Sequence, residues 1–185
     1  LKPIVSAMAL AIAIGGCSAQ QGANQEAEVA PNVVAQRIID NNASNPFFKP
    51  YDTFMGIPDF DKIKPEHYLP AFKAGVAQQK AEIQAIIDNP NAPTFANTIE
   101  AMEYSGKLTT KVASVFYNLT SADTNAQLQA ISKEVSPMLS AAGDDILLND
   151  KLFQRVKTVY QQRDSLSLNT AQQKLLEDTY KAFTR

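Results

Sequence analysis

Apolar residues recur along most of this chain at steps of three, four and seven, the spacing that gathers side chains on one face of an α-helix. Leu69, Phe72, Val76, Ile83, Ile86 and Ile87 make the first stripe, in a helix predicted to open at Pro65. Proline suits a first helical position because the N–H it lacks has no intrahelical partner there. Pro70 falls close enough to the start to be tolerated with a slight bend. The segment NPNAP (89–93) closes this helix. A second helix is predicted to open on the capping-box pattern Asn97-x-x-Glu100, with Ile99, Met102, Leu108, Val112, Val115, Phe116 and Leu119 along its stripe. Gly106 within it costs about 1 kcal/mol relative to alanine and marks a kink or a close contact. A third helix, capped near Thr124 or Asn125, carries Leu128, Ile131, Val135, Leu139 and Ala142 and should bend at Pro137. A fourth begins near Asn149-Asp150, with Leu152, Phe153, Val156, Val159 and Tyr160. A fifth begins near Asn169-Thr170, with Leu175, Leu176, Tyr180 and Phe183. No segment sustains strand-type alternation, and no Asn-Gly or Asp-Gly hairpin turn occurs. The fold class is therefore mainly α, with helices that must pack on one another or on something outside the chain.

Ahead of the helices the pattern changes twice. PFFKPYDTFMGIPDFDKIKP (46–65) sets four prolines and a glycine among aromatics. It reads as an extended, docked segment anchored by Phe47, Phe48, Tyr51, Phe54 and Phe60. Residues 18–45 are rich in Gln, Asn and Ala and poor in large apolar groups, a composition that buries too little to offset ordering entropy. They are expected to form a flexible tether, in which VVAQRIID (33–40) can form a brief helix. The opening, LKPIVSAMALAIAIGGCSAQQ, has a basic flank at Lys2 and an apolar run from Ile4 to Ile14 interrupted only by Ser6. Eleven residues fall short of the roughly 20 that cross a bilayer, but match the apolar core of a signal peptide. Ile14-Gly15-Gly16-Cys17 has the form of a bacterial lipobox, which marks Cys17 as the expected lipidation site. Several acyl chains on one residue hold a protein at a membrane where one does not. The alternative is an ordinary signal peptide cleaved near Ala19 with an unmodified cysteine. Ser18 fits sorting to the outer membrane, so the expected location is the cell envelope, lipid-anchored at the periplasmic face of that membrane. Three regions follow: signal peptide (1–17), tether (18–45) and helical region (46–185).

Charge adds mostly exclusions. The 185 residues carry 17 Lys+Arg against 19 Asp+Glu, a formal net charge of −2 that becomes −3 once the leader takes Lys2 with it. Such a balance gives no field to gather nucleic acid. A 45% apolar content is normal for a globular domain, and one cysteine cannot close an internal disulfide. The chain starts at Leu1 and stops at Arg185 inside a predicted helix. Both ends read as cut, so a piece of a longer open reading frame is expected.

Candidate chemistry is sparse. A catalytic zinc takes three protein ligands from His, Cys and carboxylate. His67 is the sole histidine, and Cys17 belongs to the leader. His67 is therefore expected to pack or cap rather than bind metal or move a proton. Asp123-Thr124-Asn125 starts like a calcium loop but lacks the glycine and the bidentate glutamate, so it reads as a helix entry. Asp59-Phe60-Asp61 and Asp144-Asp145 are carboxylate pairs of the kind found on solvated surfaces. No H-E-x-x-H, G-x-S-x-G, P-loop or dinucleotide motif occurs. By its own residues this stretch has no catalytic, metal-binding or cofactor-binding site.

The order of segments is more specific. FDKIKPEHYLPAF, then NPNAPTFANTIEAMEYSG, then SVFYNLTSADTNAQLQAI, then ILLNDKLFQRV resemble in sequence and spacing the N-terminal helical region of the M3 (thimet-type) zinc oligopeptidases, most closely the bacterial peptidyl-dipeptidases. The resemblance covers residues 46 to 185; the leader and tether lie outside it. It implies a helical molecule split by a deep channel, with zinc held on the channel floor by an H-E-x-x-H helix and a later glutamate. None of those residues is present here, so no catalytic residue carries over. By the resemblance these helices are one wall and rim of the channel, the substrates are short unstructured peptides, and this stretch alone is inactive. Leu175, Leu176, Tyr180 and Phe183 are then expected to pack against the absent catalytic half, leaving the stretch alone unstable or sticky. The other readings are an endo-oligopeptidase of the same family and a non-catalytic helical lipoprotein that binds a partner.

Overall fold

The computed structural model describes residues 30–185. The signal-peptide segment, Cys17 and the first part of the expected tether lie outside the described residues. From Pro31 onward the chain is helical: α1 (Pro31–Asn41), α2 (Pro65–Ile87), α3 (Ala101–Glu103), α4 (Lys107–Ala122), α5 (Ala126–Leu147), α6 (Asp150–Gln161) and α7 (Thr170–Thr184). Short 3-10 turns at Pro46–Phe48, Phe54–Gly56 and Arg163–Ser165 link them, and a π-helical stretch at Phe95–Glu100 leads into α3. No strand occurs among the described residues, so the mainly α fold class is observed.

The helix α2 organises the rest. Its 23 residues make a rod about 34 Å long, and α1, α4, α5 and α6 all pack on it. Its first half enters one core with Phe47, Val112, Phe116, Leu128 and Val135, through Tyr68, Ala71 and Phe72. Its second half enters another through Ile83 and Ile86 with Leu152. A third cluster joins Phe95 and Ile99 to Val156, Val159 and Leu176, tying the π-helical stretch to α6 and α7. Rings fill the first core: Phe116 meets Tyr68 at 5.1 Å and Phe72 at 5.6 Å, both edge-on. Edge-to-face packing sets the positive edge of one ring against the negative face of another. Where α2 and α4 cross, their backbones touch: a Cβ on Gly75 would lie 2.7 Å from Thr109 Oγ1 and 2.9 Å from Thr109 N.

Caps follow the sequence closely at three helices. Asn125, Asn149 and Asn169 each accept from first-turn N–H groups of α5, α6 and α7, supplying partners that the helix start lacks. The predicted second helix is corrected in two ways. Its N-cap is Thr94, extended at φ −128, with Thr94 Oγ1 accepting from Asn97 N–H (3.1 Å) and Asn97 Oδ1 accepting from Thr94 N–H (2.8 Å). It also breaks at Gly106, whose φ of +69 only glycine adopts freely and whose N–H donates to Glu82 Oε2 (2.8 Å). Gly106 is thus both the kink and the close contact that the sequence posed as alternatives.

Three further expectations are corrected. The tether does not extend to residue 45: Pro31–Asn41 is helical and lies along α2, with Ala35 buried in the contact. Val34, Ile38 and Ile39 are half-buried beside it and complete the apolar face of this helix. Among the expected anchors, Phe47 is buried and Phe48 and Tyr51 pack on the core, but Phe54 is 83% and Phe60 49% exposed. Finally, Leu175, Leu176, Tyr180 and Phe183 pack within this chain, Tyr180 stacking on Tyr160 at 3.9 Å and Phe183 on Phe153 at 5.8 Å. The stripe on α7 finds its partner on α6.

Burial also shapes the response to base. The Tyr68 hydroxyl, 1% exposed as a residue and without a hydrogen-bond partner, is pushed up to about 12 from the ordinary value of 10.0, by desolvation first and then by the neighbouring Tyr51. Phenolate is disfavoured in the core, so folding binds the proton more tightly than the unfolded chain does. The stability from this group is therefore full below pH 10 and is lost as pH rises through about 12. Phenolate absorbance of Tyr68 is expected to appear together with loss of helical signal, and Tyr68→Phe is expected to move that alkaline transition upward.

Candidate functional site

His67 occupies the third position of α2, where its ring turns back on the chain. Its Nδ1 accepts from Lys64 N–H (3.0 Å), while its own N–H donates to the Lys64 carbonyl (3.0 Å). A lysine side chain has no lone pair to offer at an N-cap, so the histidine supplies the acceptor from inside the helix. The buried Asn45 fixes the same corner, donating from Nδ2 to the His67 carbonyl (2.8 Å) and accepting Phe47 N–H (3.1 Å) on Oδ1. The histidine thus joins the docked segment to α2 as a cap. His67→Ala is expected to cost about 1 kcal/mol in denaturant unfolding, as loss of a cap does.

The carboxylate pairs stay apart from one another. Asp59 is tied to Lys62 at 2.7 Å, and Asp61, Asp144 and Asp145 face solvent. Asp123 follows the end of α4, its N–H donating to the Leu119 carbonyl. Among the described residues no group of three His, Cys, Asp or Glu is placed to hold a metal.

Two cations that belong to no sequence motif matter to the fold. Lys111 Nζ donates to the carbonyls of Phe47 (3.0 Å) and Lys49 (2.6 Å) and lies 4.1 Å from the centre of the Tyr51 ring. Burial lowers its pKa, since the charged form loses water. Arg155, 9% exposed, donates to the carbonyls of Asn89 (2.9 Å) and Asn91 (3.3 Å) and to Asn97 Oδ1 (3.3 Å). Neither has a carboxylate within ion-pair distance among the described residues. Both act as latches, holding loop carbonyls that no helix or strand satisfies. The sequence did carry a signal: each lies three residues after one core position and four before another, on an apolar stripe.

The concave surfaces are shaped for packing. A groove of about 490 Å³ runs between α2 and α5, lined by Val76, Ile83, Ile87, Met138, Ala142 and Ile146 among others. A second, of about 450 Å³, opens beside Tyr160, Arg163, Leu168 and Glu177. Neither contains His67, the sole histidine. What the geometry defines is a helical scaffold with apolar surface to spare.

No family model matches the chain. It is 46% identical over 126 residues to the dipeptidyl carboxypeptidase of Salmonella typhimurium, covering 68% of this chain and 18% of that protein. With the dipeptidyl carboxypeptidase of Escherichia coli the identity is 44% over 139 residues, covering 75% and 20%. With oligopeptidase A of Salmonella typhimurium it falls to 22% over 134 residues, covering 72% and 20%. Over most of its length the chain is homologous to peptidases. It spans about a fifth of the length of these relatives.

Proposed function

We propose that the chain is part of an M3-type zinc oligopeptidase that releases dipeptides from the C-termini of short peptides, and that its helices build one wall and rim of the substrate channel. The observation that carries this is the 46% and 44% identity to two dipeptidyl carboxypeptidases, about twice the 22% shared with oligopeptidase A. In this reading the zinc ligands belong to the part of the relatives that this chain does not span. A wall of packed helices excludes folded proteins by bulk and admits unstructured chains, so specificity for short peptides is a matter of access. His67, Lys111 and Arg155 hold the wall together and take no part in the chemistry.

The test is digestion of a defined peptide by the product of the whole reading frame, followed by mass spectrometry. Successive loss of C-terminal dipeptides is the expected result, abolished by a chelator and restored by zinc. A single internal cut would assign the endo-oligopeptidase activity instead, and absence of hydrolysis would leave a non-catalytic lipoprotein. Lipid anchoring at Cys17 and residence at the periplasmic face of the outer membrane are part of the same proposal. They rest on the leader and lipobox pattern, and Cys17→Ser is expected to move the protein from the membrane to the soluble fraction.

A further inference from the structure

Tyr160 of α6 and Tyr180 of α7 lie ring on ring, 3.9 Å between centroids and 3° from parallel. Face-to-face stacking sets two negative ring faces together, a geometry less favourable than an offset or edge-on contact. Arg163 offsets part of that cost by holding its guanidinium 4.6 Å from the centre of the Tyr160 ring. Phe153 backs Tyr180 at 6.0 Å and is itself stacked on Phe183, so the pair is held in a ladder of rings between the two helices. It is the one stacked pair of tyrosines among the described residues. Both are half-buried, and Tyr160 lines the open groove of about 450 Å³ with Arg163 and Glu177. The other phenols are placed differently. The Tyr51 and Tyr68 hydroxyls are buried, while Tyr104 and Tyr117 are exposed beside Lys107 and Phe116 respectively.

We propose that Tyr160 and Tyr180 are a site of oxidative modification, at which a small one-electron oxidant joins the two rings as dityrosine and staples α6 to α7. This modification is independent of the peptidase activity proposed above. A phenoxyl radical holds its unpaired electron in the π system, so a new carbon–carbon bond grows out of the ring face. Two parallel rings in contact present those faces to each other. Each phenol gives one electron to the oxidant and one proton to solvent, and the two radicals join through the carbons ortho to oxygen. The hydrogens on those carbons then leave as protons while the oxygens regain theirs, which restores two phenols. The net loss is two electrons and two protons, the electrons taken up by two equivalents of oxidant. The sequence offers few competitors for such an oxidant: it has no tryptophan, and its single cysteine is at position 17.

The probe is the azide radical, generated by irradiation in a solution of the product of the whole reading frame; it takes one electron and becomes azide. At micromolar protein the neighbouring ring has an effective concentration of about millimolar, so coupling within a chain is expected to exceed coupling between chains about a hundredfold. The expected product is monomeric and shows blue dityrosine fluorescence. On digestion it yields a linked pair of peptides, carrying Tyr160 and Tyr180, lighter by two hydrogens than their sum. Tyr160→Phe and Tyr180→Phe keep the stacked ring, and each is expected to abolish that species with little change in melting of the unoxidised protein. In the linked form the α7 amides are expected to exchange about tenfold more slowly, because a cross-link limits the opened states of a segment. Dityrosine that persists undiminished in Tyr180→Phe, or that forms only between chains, overturns the proposal. So does oxygen addition to Tyr160 or Tyr180 in place of a link, and so does unchanged α7 exchange in the linked protein.

Discussion

Phe116→Ala is expected to destabilise the protein by about 3–5 kcal/mol in equilibrium denaturation, as full truncation of a buried phenylalanine does. Phe116 is wholly buried and touches the rings of Tyr68, Phe72 and Tyr117 at 5.1, 5.6 and 5.3 Å. Removing it takes out the centre of the cluster through which α4 holds the first half of α2. The surrounding groups cannot close the void easily. Tyr68 is pinned by Phe47 on its other side, and the α2–α4 crossing is already at backbone contact through Gly75. A cost near the upper end of that range is expected for a site that cannot collapse, and it is a large fraction of the 5–15 kcal/mol typical of a whole domain. A loss below about 1 kcal/mol would mean that the ring cluster is not the packing centre between α2 and α4.

Arg155→Ala is expected to cost about 2–4 kcal/mol, with the damage focused on residues 89–97. The guanidinium satisfies the Asn89 and Asn91 carbonyls and Asn97 Oδ1 from a single planar group. Asn97 is also the third residue of the Thr94 capping box, so the latch and the cap share an atom. Hydrogen exchange at 94–97 should accelerate before exchange in the α2–α4 core does. Arg155→Lys is expected to recover little, because an ammonium is a point donor and cannot span three acceptors as a fork does. Equal acceleration throughout the chain would show that Arg155 supports the fold generally and not this loop.

Both residues show how far local pattern reaches. Periodicity marked positions 152, 156 and 159 as core, and it placed Arg155 on the same face. Nothing local said that a cation belongs there, since its acceptors lie 58 to 66 residues away. Lys111 is the same case, reaching carbonyls 62 and 64 residues earlier. Catalytic and metal sites are marked in a sequence by clusters of ligands and bases, and these two groups act singly.

What the sequence determined by itself was the helical class, the stripes that became the cores, and the helix starts near Asn125, Asn149 and Asn169. Each is fixed by contacts within one turn, and side chains four residues apart meet whatever the rest of the molecule does. The order of its segments also carried the kinship that pairwise identity to the dipeptidyl carboxypeptidases now supports. Only the tertiary structure decided which aromatic residues of 46–60 dock and which project, that Pro31–Asn41 lies on α2, and that the α7 stripe closes on α6. A phenylalanine has the same transfer energy at position 47 as at position 54. Its burial depends on whether a distant surface arrives to meet it, and that is settled by the path of the whole chain.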